Sequence, residues 1–268
     1  MTNRESMYYV DGDGDKFHIS LTDNRVLSEL NGAGIAPPEH YSRGRPFRDG
    51  EEHTGEGYRA RVVNLMVGDR ASSRSNMWSH INDWSTAFNL DKGAGYILYV
   101  FEDGTERILY CRHNGGLEFN SSDRPNPVLQ NVPVQVIAHD PMFYDPATYD
   151  SYDYFSGAAD VDISVNNAGD RETYPTIIIQ SPVNHPLLTH VESGAQLDID
   201  YNLDENSMVI DCDEPSIKVG GVSIIDYIGT TDEFFPLDRG GNTIRISATS
   251  GTGQCKVRRY HKYVSLRK

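Results

Sequence analysis

The stretch YILYVFEDGTERILYC, residues 96–111, decides how the first half of this chain is read. Two apolar, aromatic-rich runs flank Glu102-Asp103-Gly104-Thr105. An Asp-Gly pair between such runs is the turn chemistry of a β-hairpin, because the glycine accepts the positive φ that the tight turn needs. Working outward, residues 61–67 before Gly68-Asp69, and residues 132–138, read as further strands. A shorter hairpin is expected between residues 7–10 and 17–21. Met77, Ile81, Trp84 and Phe88 recur at helical spacing, which predicts one helix over residues 76–90. Ser75 or Asn76 is expected to cap it, Gly93 to lie just past its end, and Trp78 to widen the apolar stripe. The first half thus reads as a sheet or barrel carrying one helix.

Between residues 33 and 57 the periodicity vanishes. Pro37, Pro38, Pro46, five glycines and many charges occupy the segment. A patternless stretch of this length in a compact domain has a job, and the reading is an arm or belt that contacts a neighbouring subunit. Composition shifts again at DPMFYDP, residues 140–146, before the Tyr/Asp-rich ATYDSYDYFSG. Asp-Pro pairs disfavour helix and punctuate the chain, so two domains are expected, residues 1–142 and 143–268.

In the second half Val161, Ile163 and Val165 alternate with polar residues, and Ile177, Ile178 and Ile179 read as a fully buried strand. Leu197, Ile199 and Tyr201 alternate with aspartate or asparagine, as do Met208, Ile210 and Cys212 with aspartates. Ile244, Ile246 and Ala248 alternate with Arg245 and Ser247. Short alternating strands separated by turns predict two packed antiparallel sheets. The fold class is all-β, mainly strand with one helix.

The 268 residues carry a formal net charge of -15, which argues against a protein that grips phosphates, since that task needs a basic face. Cys111, Cys212 and Cys255 are odd in number and scattered, and read as buried thiols of a reducing compartment. No signal peptide or apolar stretch long enough to span a membrane is visible, so synthesis in a cytoplasm is expected. Asp11-Gly-Asp-Gly-Asp15 opens like a calcium loop, but Lys16 stands in the place of the required glycine and Thr22 in that of the bidentate glutamate. A hairpin turn is the better account. His185 and His190 lie five apart, not at metal spacing. No nucleophile elbow, P-loop or dinucleotide fingerprint is present. The expectation is no catalytic residue, no cofactor and no metal.

Several pieces occur in a telling order: HDPMFYD (139–145), VNNAGD (165–170), YPTIII (174–179), FPL (235–237), GGNTI (240–244) and VRRY (257–260). In this succession the second half resembles the C-terminal domain of siphophage distal tail proteins, the hub subunits of tail-tip baseplates. PFRDG (46–50) and residues 93–111 are similar to that family's N-terminal domain. The resemblance implies an N-terminal belt domain that closes a homohexameric ring and a C-terminal galectin-like β-sandwich. It also implies a place at the tail tip of the virion. The partners implied are the tail tube protein, the tail-associated hub protein, and receptor-binding or adhesin proteins. DNA would pass through the lumen without sequence-specific contact, and an acidic lumen would ease that passage. The interface residues expected are Gly34, Pro37, Pro38, Pro46, Phe47, Arg48, Asp49, Gly50 and Tyr58, with the hairpin 96–111 facing the ring. Two other classes stand beside this one. A host-surface carbohydrate-binding module would use Tyr149, Tyr152 and Tyr154, and an enzyme on cell-wall polymer would need a carboxylate pair that leaves no local signature.

Overall fold

The structure, a computed structural model, describes residues 5–20, 24–45, 49–119, 128–157 and 159–266. The chain divides into two compact units, Met1–Tyr144 together with Val264–Lys268, and Asp145–Tyr263.

The first unit is built on β1 (Ser6–Val10), β2 (Lys16–His18), β3 (Arg25–Asn31), β4 (Pro38–Gly44), β5 (Glu51–Tyr58), β6 (Arg61–Arg70), α1 (Arg74–Ala87), β7 (Gly95–Val100), β8 (Glu106–His113), β9 (Leu129–Ala138) and β10 (Phe143–Tyr144). Its main sheet runs β2-β1-β7-β8-β9-β6-β3. The β7–β8 hairpin pairs Tyr96 with Tyr110 and Val100 with Glu106, and turns through Gly104 at φ 82°. Strict alternation shows where the core lies. Val63, Leu65 and Val67 of β6 face inward opposite Val136, Val134 and Val132 of β9, all buried.

Helix α1 starts earlier than the periodicity predicts. Ser73, in extended conformation, accepts from Asn76 N, so the cap is neither Ser75 nor Asn76. Met77, Trp84 and Phe88 are buried as expected. Trp78 is not part of the stripe: it is 62% exposed, because a position one residue from Met77 is turned about 100° around the helix. The helix closes at Phe88, and a separate 3-10 turn, Leu90–Lys92, carries the chain to Gly93 at φ 80°.

The segment expected to lack pattern forms a two-stranded antiparallel ribbon, β4 with β5, which pairs with no strand of the main sheet. Alternation was invisible there because both faces meet solvent, so neither needs apolar residues.

The second unit contains β11 (Tyr149–Ser156), β12 (Val161–Asn167), β13 (Thr176–Gln180), β14 (Val183–His190), β15 (Gln196–Asp198), β16 (Asn202–Leu203), β17 (Ser207–Asp211), β18 (Ser216–Val219), β19 (Val222–Ser223) and β20 (Gly240–Arg259). The 20-residue β20 organises everything. Its first half pairs with β12 and β14, and its second half with β11 and β13. Along it Asn242, Ile244, Ile246 and Ala248 are buried, then Cys255, Val257 and Arg259. The buried parity flips from even to odd as the strand passes from one ladder to the other. The passage needs glycine: Gly251 sits at φ 116°, and a Cβ there would lie 2.4 Å from the Pro182 carbonyl oxygen. The inward residues of both ladders, among them Phe155, Ile177, Ile210 and Ile244, gather with Phe235 from a connecting segment into one core. Ile178 is only half-buried, so the isoleucine strand has one covered face and one partly open, not two buried faces.

Candidate assembly surface

The β4–β5 ribbon collects most of the expected interface residues. Its root is Gly34, Pro37 and Pro38, all exposed, with Tyr58 half-buried opposite Pro38. Asp49 and Gly50 lie exposed near the turn, Gly50 at φ 89°. Pro46, Phe47 and Arg48 fall outside the described residues. The ribbon has almost no core of its own. Tyr41, half-exposed, lies over the bare backbone of Gly57, where a Cβ would sit 3.5 Å from its hydroxyl. The other ties are polar: Tyr41 Oη to Glu39 at 3.2 Å, Arg59 to Glu39 at 3.1 Å, Ser42 to Glu51, and His40 near His53. A two-stranded ribbon alone in water is marginal at best, and its open edges invite pairing with another chain.

The β7–β8 hairpin is a different case. Both of its outer edges are taken, β7 by β1 and β8 in part by β9, with Arg112 and His113 opposite Ile137 and Val136. Only its outward side chains, such as Tyr110, and its turn face solvent.

Two buried charges hold the first unit together, and sequence reasoning passed over both. Arg61 is 1% exposed and donates to four backbone carbonyls: Pro141 at 2.8 Å, Gly32 at 2.8 Å, Gly34 at 2.6 Å and Val264 at 2.6 Å. The Phe143 ring lies 4.7 Å from the guanidinium, and burial pulls the arginine below its ordinary value. Asp69, also 1% exposed, accepts from Arg25 Nε at 3.1 Å and Trp84 Nε1 at 2.7 Å, and pairs with His80 Nδ1 at 2.8 Å. It thereby ties α1 to β3 and β6. A signal for both existed. Arg61 and Asp69 share the odd parity of Val63, Leu65 and Val67, so in a regular strand they must point inward too.

The clusters that resemble chemistry are committed to structure. Burial alone would raise the Asp11 carboxyl, but its bond to Lys92 and the amides of Asp13 and Asp15 outweigh it and hold it below the usual range. The cation that meets these carboxylates is Lys92, which also reaches Asp15 at 3.1 Å. In the second unit His190 joins Ser193 at 2.7 Å and Asn242 at 3.1 Å, with Glu192 at 3.3 Å. The Ser193 hydroxyl already accepts from Ala195 N and the Glu192 carboxylate from Thr243 N, so the group pins a turn onto β20. The thiols of Cys111, Cys212 and Cys255 are buried, and burial pushes each up to about 12. Of the three tyrosines considered for sugar stacking, Tyr152 and Tyr154 are exposed and Tyr149 instead stacks on His261. Among the described residues no helix is long and apolar enough to cross a membrane.

Residues 168–262 match the family model of the siphovirus-type tail component, C-terminal domain. No curated protein matches the chain. Among solved structures, the Dit protein of phage SPP1, described as a paradigm of the hub adsorption apparatus in phages infecting Gram-positive bacteria, aligns with a TM-score of 0.71 at 18% identity, over 96% of this chain and 98% of that one. Two structures of the phage p2 baseplate in its activated conformation, with calcium and with strontium, align over 95% of this chain and 97% of theirs at 7% identity. Their TM-scores are 0.49 and 0.48. Residues 168–262, within the second unit, thus match the C-terminal domain of the siphovirus-type tail component, and the chain as a whole shares the fold of the phage SPP1 Dit protein.

Proposed function

We propose that this chain is a structural subunit of a phage tail tip, which acts by self-association and not by catalysis. Six copies close a ring through the first unit, which serves as the belt domain. The second unit is a galectin-like sandwich that adjoins the tube, the hub protein and adhesins, and DNA crosses the lumen. The observation that carries this reading is the β4–β5 ribbon: two full strands with exposed faces that, among the described residues, pair with no third strand. A segment that is marginal alone becomes stable when another subunit covers it. The net charge of -15 suits a lumen that refuses phosphate contacts.

Light scattering with negative-stain imaging tests the proposal. The intact chain is expected to form a six-fold ring, and a variant with residues 38–58 replaced by a short Gly-Ser link is expected to be a folded monomer. An intact chain that stays monomeric at every concentration, or a ring that survives the replacement, overturns it. A second reading, host glycan binding, has one observation in favour. Tyr152 and Tyr154 are 58% and 67% exposed beside the ion-paired Asp150 and Arg258, and aromatic faces next to polar groups stack on sugars. Binding on a glycan array that is lost in Tyr152→Ala would favour it.

A further inference from the structure

We infer that residues 264–266 form a strap which, through Arg61, fixes the root of the β4–β5 ribbon, making Arg61 the positioning residue of ring assembly. The inference rests on the reading of the ribbon as the intersubunit arm.

The arm leaves the body through residues 32–37, and three independent ties meet there. The strap runs alongside this root, with Ala36 N donating to Val264 O at 3.2 Å and Leu266 N to Ala33 O at 3.0 Å. The Leu266 side chain is buried and lines one small cavity together with Met7, Leu30 and Phe143. Arg61 then bridges the two. One Nη takes the carbonyls of Gly32 and Gly34 on the root, the other takes Val264 on the strap, and Nε takes Pro141. On the return strand, Arg59 N donates to Pro37 O at 2.9 Å and closes the base. Gly32 belongs to the same device: at φ 87°, a Cβ there would stand 2.1 Å from the Val62 carbonyl oxygen, so only glycine lets the root pass this close to β6.

A structural arginine is usually matched by a carboxylate, but the partners here are four carbonyls that converge from three distant parts of the chain. A buried guanidinium is tolerable only while its fork stays satisfied. Removing any one carbonyl weakens the site for the rest, so root and strap hold each other. Lysine does not replace it, because its donors radiate from a single nitrogen and do not span the four oxygens. A fixed root presents the arm in one direction and lowers the ordering required when a neighbour binds.

The test uses the full chain with Arg61→Lys, with Leu266→Ala, and with the ribbon replacement described above. Amide exchange at Ala36 and Arg59 and the concentration at which rings form are measured together. Arg61→Lys and Leu266→Ala are expected to keep the native circular dichroism, to exchange faster at both amides, and to need at least tenfold more protein to assemble. If both variants match the parent in exchange and in assembly while the ribbon replacement is monomeric, the strap is refuted and the arm stands. If the ribbon replacement still forms rings, the arm reading fails, and the exchange data alone decide whether the strap holds the root. Should Arg61→Lys fail to fold, Leu266→Ala, which leaves the guanidinium in place, decides the question.

Discussion

Asp69 shows how much of a β-protein's stability rests on one satisfied charge. Its two oxygens take Arg25, His80 and Trp84 from a strand and a helix, and the Trp84 ring is packed by Phe17 at 4.7 Å and Phe88 at 5.8 Å. Asp69→Ala removes the acceptor and leaves the buried indole N–H and guanidinium facing each other without it. The expected cost is about 3–5 kcal/mol, the range for breaking a buried pair, read as a lower urea midpoint with the slope unchanged. His18 and His113 act in the opposite sense. Burial holds both imidazoles below their ordinary value, helped at His18 by Arg25 and Lys16. The Nε2 of each is buried without a hydrogen-bond partner. The folded chain therefore takes up these protons at a lower pH than the unfolded chain, which protonates them near pH 6.5. Stability is full above that pH and falls as pH drops through it, since the unfolded state then binds more protons. Urea midpoints between pH 7.5 and 5 are expected to decline, and to decline less in the His18→Gln, His113→Gln double variant. An unchanged slope in that variant would assign the effect elsewhere.

At the scale of elements, β20 joins what reads in sequence as two unrelated pieces. Ile244, Ile246 and Ala248 announce one strand, Val257 falls in the separate VRRY motif, and TSGTG between them breaks the alternation. The structure makes all of it one strand because Gly251 and Gly253 let the backbone pass close by the chain at Gln180 and Pro182: a Cβ on Gly253 would lie 2.3 Å from the Gln180 oxygen. Gly251→Ala is expected to destabilise the second unit by about 1–3 kcal/mol, from a strained φ with no room to relax. Thermal unfolding followed by near-ultraviolet signal checks it, and a change within 0.5 kcal/mol, the ordinary range for a surface position, would refute the account. The same contrast explains what was legible. Strands with one wet and one dry face, such as β6, β9, β12 and β17, announce themselves by alternation. The ribbon does not, because it has no buried face to require an apolar residue at every second position, and the start of α1 is ambiguous because a serine cap can serve at any of three neighbouring serines, Ser72, Ser73 and Ser75. Arg61 and Asp69 were legible by parity, yet a charge in an apolar run is easily taken for the end of a strand.

At the scale of the molecule, the two units differ in how the chain encloses them. The second is one continuous segment with its own closed core, from Phe155 through Val257. The first is assembled from both sides of it, residues 1–144 and 264–268. Cutting between domains is therefore asymmetric in its consequences. Residues 145–263 expressed alone are expected to unfold cooperatively, because every member of that core is retained. Residues 1–144 alone lose Leu266 from their interior, leave Ala36 N and Ala33 O without their partners, and strip Arg61 of one of its four carbonyls. Loss of a buried leucine and an acceptor to a buried charge together cost several kcal/mol, a large share of the 5–15 kcal/mol that stabilises a typical domain. That fragment is expected to be poorly folded by circular dichroism and amide exchange. It should recover when residues 264–268 are joined after Tyr144 through a flexible link long enough to reach the Ala33–Ala36 strand. A fragment 1–144 as stable as its extended form would mean that the returning segment contributes nothing, and that the first unit is closed without it.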